Sequence, residues 1–304
     1  MEIKIYTGGH QATTEHFTKV LEKNKNTLAA QNTVFVPPTD DTYPSIFKAS
    51  KAIRNKGNPV FIQQKLLQQF NVPKDTKTLI FIDNRTIGTD LRVFEKELFF
   101  PKAGGFIKQI QGIFEDFPLR LFTETRDLAT LLPSCYCCKV FDNDLGSLDE
   151  FLAAIDIIDL RWSVLIDRSQ GRGTRIPVTT WRYEEYPSLW RDIAGAVTKV
   201  AEYQDFTGPA DQLDLNVNLQ TALLFYKYTQ KYPVQSQEEF DTLKKLFLER
   251  DLGKPHKLET PNWTPEIIQN LTHSYEDDWY YIERMEDVEI IQPHNFSSAQ
   301  PASG

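Results

Sequence analysis

The first fourteen residues restrict this chain more than any other stretch. Ile3-Lys4-Ile5-Tyr6 reads as a strand, Thr7-Gly8-Gly9-His10-Gln11-Ala12-Thr13 as a glycine-bearing turn, and Thr14 onward as an amphipathic helix carrying Phe17, Val20 and Leu21. This layout aims the unpaired N–H groups of a helix N-terminus, with the positive end of its dipole, at one spot that suits a phosphate or sulfate. The lysine that a working phosphate loop normally carries is missing, and Gln11 stands in the turn.

The pattern continues as strands with helices between them. Strand-like runs are 2–6, 33–36, 78–83, 120–125 and 177–183, and helical periodicity marks 14–30, 104–114, 148–155, 160–169 and 187–199. Such alternation predicts an α/β three-layer sandwich with a mostly parallel central sheet of about five strands. From about residue 211 the pattern is helical: 219–231, 236–248, and a helix opened by Thr264-Pro265-Glu266 that runs to about Met285, with 288–291 as a short returning strand. A single domain over 1–291 is expected, with its helical subregion at about 211–287 and a flexible tail over 292–304.

At 304 residues and 40% apolar content the chain can bury a large core. Its net charge of −8 disfavours nucleic acid and anionic membrane as partners, because the summed field repels both. No apolar run reaches the length of a membrane span, and the N-terminus begins with a strand rather than a secretory signal. Cys135, Cys137 and Cys138 form an odd, clustered set that reads as reduced thiols of a cytoplasmic protein, lining a core helix. Their spacing does not converge on a tetrahedral ion, so no metal is expected.

A second anion-binding candidate lies at the C-terminal end of strand 120–125. Arg126 leaves that strand tip, and Ser134 follows eight residues later, about two turns into the next helix and on a side that can face Arg126. The ordinary alternatives are an ion pair of Arg126 with Asp127, Glu124 or another acid, and a solvated Ser134 displaced by a kink at Pro133.

Gly8, His10 and Thr14, the Arg126–Ser134 spacing, and the segments 162–168, 178–184 and 263–266 together resemble the sulfotransferase superfamily, in particular a bacterial branch. The resemblance implies that the loop, through Gly8, Gln11, Thr13 and Thr14, binds the 5′-phosphosulfate of 3′-phosphoadenosine 5′-phosphosulfate. It implies that Arg126 and Ser134 bind the 3′-phosphate. Sulfonate would pass to a hydroxyl of a carbohydrate or small metabolite, without a metal. The general base would be His10 or Asp83, since Asn84 stands where the resembling proteins often carry a glutamate.

The departures from the family pattern are electrostatic. Gln11 replaces a lysine, and a neutral hydrogen bond contributes about 1 kcal/mol against roughly 1.5–3 for a charged one. Loss of such a clamp typically costs about 10²–10³ in rate. Glu15, in the first helical turn, adds a negative charge where a bound phosphate would sit. A catalytically inactive protein that keeps the fold as a binding or interaction module is therefore the alternative. A nucleoside-phosphate kinase suffers from the same missing lysine.

Overall fold

The computed structural model describes residues 1–8, 13–38, 45–84, 94–95, 98–143, 146–157, 159–171, 175–209, 218–251 and 260–293. Its strands are β1 (Glu2–Gly8), β2 (Thr33–Val36), β3 (Thr78–Ile82), β4 (Phe94–Glu95), β5 (Leu98–Phe99), β6 (Leu119–Thr125), β7 (Val178–Arg182) and β8 (Val288–Ile290). Six of them form one sheet in the order β2-β3-β1-β6-β7-β8, and every neighbouring pair is parallel. The five expected strands are all present. The short return at 288–290 adds a sixth at the edge. Strands β4 and β5 make a separate small antiparallel pair.

The helices are α1 (Thr14–Lys23), α2 (Lys25–Ala30), α3 (Ile46–Arg54), α4 (Pro59–Gln69), α5 (Ala103–Ile113), α6 (Leu128–Phe141), α7 (Leu148–Ala153), α8 (Trp162–Gln170), α9 (Tyr186–Thr198), α10 (Leu219–Lys231), α11 (Gln237–Asp251) and α12 (Pro265–Ile282). Alternation along the strands divides them between two faces. Ile3, Ile5, Leu79, Phe81 and Leu121 face one side, where residues of α3, α4, α5, α6, α8 and α12 cover them. Tyr6, Ile80, Ile82, Phe122 and Trp181 face the other, under α1, α2 and α9. Both faces are thus dry, as an all-parallel sheet requires. Helices α10 and α11 pack separately on α6 through Phe141, Phe225 and Phe240. Among the described residues, no helix is long and apolar enough to cross a membrane.

Two local expectations need correction. The helix expected over 14–30 is broken at Asn24, whose Nδ2 donates to the Val20 carbonyl at 2.7 Å and to the Thr207 carbonyl at 2.8 Å. An asparagine side chain that bonds its own backbone competes with the helix ladder and ends it here. No helix is read from the sequence over 46–69, where α3 and α4 lie. Val60 and Phe61 of α4 are 61% and 64% exposed, so its apolar residues do not mark one inward face.

Helix α8 is capped from a distance. Arg161, at its N-cap, makes no side-chain cap. Asp278 of α12 does so instead, accepting the N–H of Trp162 at 2.7 Å and of Ser163 at 3.2 Å on Oδ2, with the Ser163 hydroxyl on Oδ1. Asp278→Ala removes three acceptor contacts in a buried place. It is expected to cost about 2–4 kcal/mol, read as a lower urea midpoint at unchanged slope.

Candidate functional site

The site begins with an irregularity at the end of β1. Tyr6 pairs with Phe122 but Gly8 pairs with Thr123, so Thr7 is an extra residue in β1. The bulge bends the strand, and Gly8 leaves it at φ +57°, a conformation that a side chain disfavours. A Cβ on Gly8 would also lie 2.5 Å from the Thr14 hydroxyl. Glycine is therefore required here by both backbone angle and close approach.

Three strand ends meet at this edge. The N–H of Asp83, one residue past β3, donates to the Tyr6 carbonyl at 3.1 Å. Gly8 lies beside Thr123, and Arg126 follows three residues later, a step of about 10 Å along an extended chain. The chain leaves β1 toward β2 and leaves β6 toward β7, in opposite directions across the sheet. In open α/β sheets the crevice at such a reversal is where ligands bind.

Beneath the turn is a buried polar chain. The Tyr6 hydroxyl contacts Thr13 Oγ1 at 2.9 Å, Thr13 Oγ1 donates to Glu124 Oε2 at 2.8 Å, and Trp181 Nε1 donates to the same oxygen at 3.2 Å. Since Thr13 gives its proton to Glu124, Tyr6 is the donor to Thr13. Thr13 thus turns its hydroxyl inward and does not cap α1. Glu124 is fully buried, and its second oxygen, Oε1, has no hydrogen-bond partner among the described residues. Burial pushes the Glu124 carboxyl up to about 7, against the opposite pull of Thr13, Trp181 and Arg126.

That shift has a sign for stability. A carboxyl raised in the folded state contributes stability below its unfolded value, near 4.5, and loses it as pH rises toward 7. Glu124→Gln keeps an acceptor for Thr13 and Trp181 but never ionises. The variant's stability relative to the parent is expected to grow by about 3 kcal/mol between pH 4.5 and 7 and then stay level, as read by urea unfolding across pH.

The second half of the site is Arg126, 2% exposed. Its Nε donates to Thr130 Oγ1 at 3.0 Å, its Nη1 reaches Ser134 Oγ at 3.5 Å, and its guanidinium lies 4.1 Å from the centre of the Tyr183 ring. Its own carbonyl accepts from Trp162 Nε1 at 2.9 Å. Asp127 is engaged elsewhere: Oδ1 caps α6 at the Ala129 N–H, and Oδ2 accepts from Thr272 at 2.6 Å. Ser134 is 2% exposed rather than solvated, and α6 runs through Pro133 unbroken.

The structure therefore brings Gly8, Thr13, Thr14, Asp83, Arg126 and Ser134 to one edge. Asp83 is buried there, and the Thr14 hydroxyl is buried without a partner among the described residues. His10 and Gln11 lie outside the described residues. Glu15 is paired with Lys19 at 2.6 Å on the exposed side of α1, which offsets part of the charge it adds. Cys135 and Cys137 are buried and Cys138 is half-buried, all on α6. Glu124, Thr130 and Tyr183 were not foreseen as members of the site. The available signal was an acid inside the otherwise uncharged run Leu121-Phe-Thr-Glu-Thr125.

No family model and no curated protein matches this sequence. Among solved structures, it is similar to the crystal structure of a sulfotransferase from Alicyclobacillus acidocaldarius. The two share 7% sequence identity over 82% of this chain and 92% of that one, with a TM-score of 0.37.

Proposed function

We propose that the chain is a sulfotransferase-like protein that holds 3′-phosphoadenosine 5′-phosphosulfate, or its desulfated product, across the carboxyl ends of β1 and β6. It would pass the sulfonate to a hydroxyl of a carbohydrate or small metabolite. The observation that carries this reading is the contact between Arg126 and Ser134 at the same sheet edge as the Gly8 turn. A fork of guanidinium donors with an adjacent hydroxyl suits a phosphate dianion. To admit one, the Tyr183 ring must slide off the guanidinium it now covers. Gly8, Gln11 and Thr14 would receive the 5′ end with the N–H groups of α1, and Thr13 through its backbone N–H, since its hydroxyl is held by Glu124. The donor supplies an activated sulfur. The acceptor oxygen bonds to it as the bond to the 5′-phosphate breaks, and the acceptor's proton goes to Asp83 or His10.

A second reading is binding without transfer, as an inactive module on the same fold. It is favoured by the Glu124 carboxyl against Thr13, directly behind the place where the departing phosphate's charge would develop. Calorimetric titration with 3′-phosphoadenosine 5′-phosphate tests both. A Kd below about 100 μM is expected, and no heat at about 1 mM ligand contradicts the nucleotide site. Binding without release of bisphosphate from the sulfated donor, across a panel of hydroxyl acceptors, selects the module.

A further inference from the structure

The carboxyl of Glu124 is an unexpected thing to find behind an anion site. Its Oε2 accepts from Thr13 Oγ1 and Trp181 Nε1, so a proton on this group belongs on Oε1, the oxygen without a partner among the described residues. Thr13 immediately precedes the first turn of α1, so the carboxyl and the helix N-terminus are joined by a single 2.8 Å hydrogen bond. The region between them is dry: Glu124, Thr13, Tyr6 and Trp181 are all fully buried. In such a place like charges repel with little screening.

We infer that anion binding at the N-terminus of α1 is coupled to a proton on Glu124: the site accepts a phosphate when this residue is neutral and rejects it when it is ionised. The inference rests on the anion site proposed above and adds its regulation. Several other groups lie around Glu124 among the described residues. Tyr6 of β1 and Tyr186 of α9 are buried phenols whose titration burial drives well above the ordinary value. His16 of α1 touches the Tyr186 hydroxyl through Nδ1 at 2.9 Å, and burial lowers its titration. Trp181 does not titrate. Arg126, on the same strand tip, is cationic, and Glu184, beyond β7, accepts the Asp127 N–H at 3.0 Å and is itself raised by burial, so the comparison with Glu124→Gln is what separates the two carboxyls. Since burial holds the Glu124 carboxyl near 7, a proton is available to it at neutral pH.

The probe is 3′-phosphoadenosine 5′-phosphate, titrated by calorimetry from pH 6.5 to 8.5 in two buffers of different ionisation enthalpy. The parent protein is expected to bind about tenfold or more weakly at pH 8.5 than at 6.5, and to take up close to one proton per ligand at the upper end. The ligand cannot produce this trend. Its phosphates gain charge with pH, about pH 6, which favours tighter binding. Glu124→Gln should bind with an affinity constant within about twofold over the range and without the uptake. Lys4, which burial lowers to about 8, titrates in both proteins and cancels in the comparison. Should the variant be poorly folded, ¹³C NMR of the labelled glutamate carboxyls in the parent, with and without ligand, gives the same answer through a ligand-induced rise in one buried titration. Binding by the parent with no pH dependence, or equal proton uptake by parent and variant, overturns the inference and leaves the anion site standing. No binding by either protein at either pH overturns the anion site and the inference together.

Discussion

Arg126→Ala is expected to weaken binding of 3′-phosphoadenosine 5′-phosphate by at least about 100-fold. Two charge-assisted hydrogen bonds to a phosphate are lost, each contributing roughly 1.5–3 kcal/mol, and about 2.7 kcal/mol already corresponds to 100-fold. Arg126→Lys should recover only part of this. An ammonium keeps the charge but cannot hold Thr130 and a phosphate at once with a planar fork. Ser134→Ala should act in the same direction with a smaller effect, about fivefold to tenfold, because a neutral donor is removed. Equal binding by all three variants, measured calorimetrically, would remove the 3′-phosphate site.

Trp181→Ala is expected to damage stability more than Asp278→Ala does. Trp181 is fully buried, stands on β7 in register with Glu124, and lies 5.7 Å from the Tyr6 ring, which itself stacks on Phe17 at 4.2 Å. Truncation opens a cavity beneath α1 and α9 and takes one donor from Glu124 Oε2. Buried tryptophan to alanine typically costs about 3–5 kcal/mol, a large part of the roughly 5–15 kcal/mol that holds a domain together. Trp181→Phe separates the two losses. It keeps most of the volume and drops the N–H, so it should cost about 1–2 kcal/mol while pushing the Glu124 titration further upward. Urea unfolding of both variants at pH 6 and pH 8 reads the difference. A Trp181→Ala midpoint equal to that of the parent would mean that this side of the sheet is not packed as described.

What was legible in the sequence is what depends on neighbours along the chain. The strand–turn–helix at the start, the separation of Arg126 from Ser134 along one helix, and the N-cap of α12 at Thr264 are all local geometry. They follow from helical and strand periods. The break at Asn24 was legible only in part, because its side chain bonds the local Val20 carbonyl and also that of Thr207, distant in sequence but 2.8 Å away in space. The cap on α8 was hidden for the same reason, as Asp278 arrives from α12. The Glu124 network depends on the register of β6 against β7 and on the bulge at Thr7, which place Thr13 and Trp181 on one oxygen. Nothing in the period of a strand encodes register against a partner, so Glu124 read from sequence as one of several acids able to pair with Arg126. In the fold it is instead the buried acid behind the turn.

The convergence of the β1 and β6 ends on a single nucleotide is tested most directly by a crystal structure grown with 3′-phosphoadenosine 5′-phosphate. The expected complex has the 5′-phosphate against the Gly8 turn and the first N–H groups of α1, and the 3′-phosphate about 3 Å from Arg126 and Ser134 with Tyr183 moved aside. The opposite edge of the sheet offers a different place: a cavity of about 560 Å³ lined by Lys108 and Arg175 beside the starts of β6 and β7. Nucleotide found there, with Arg126 still beneath Tyr183 and the Gly8 turn unvisited, would contradict it.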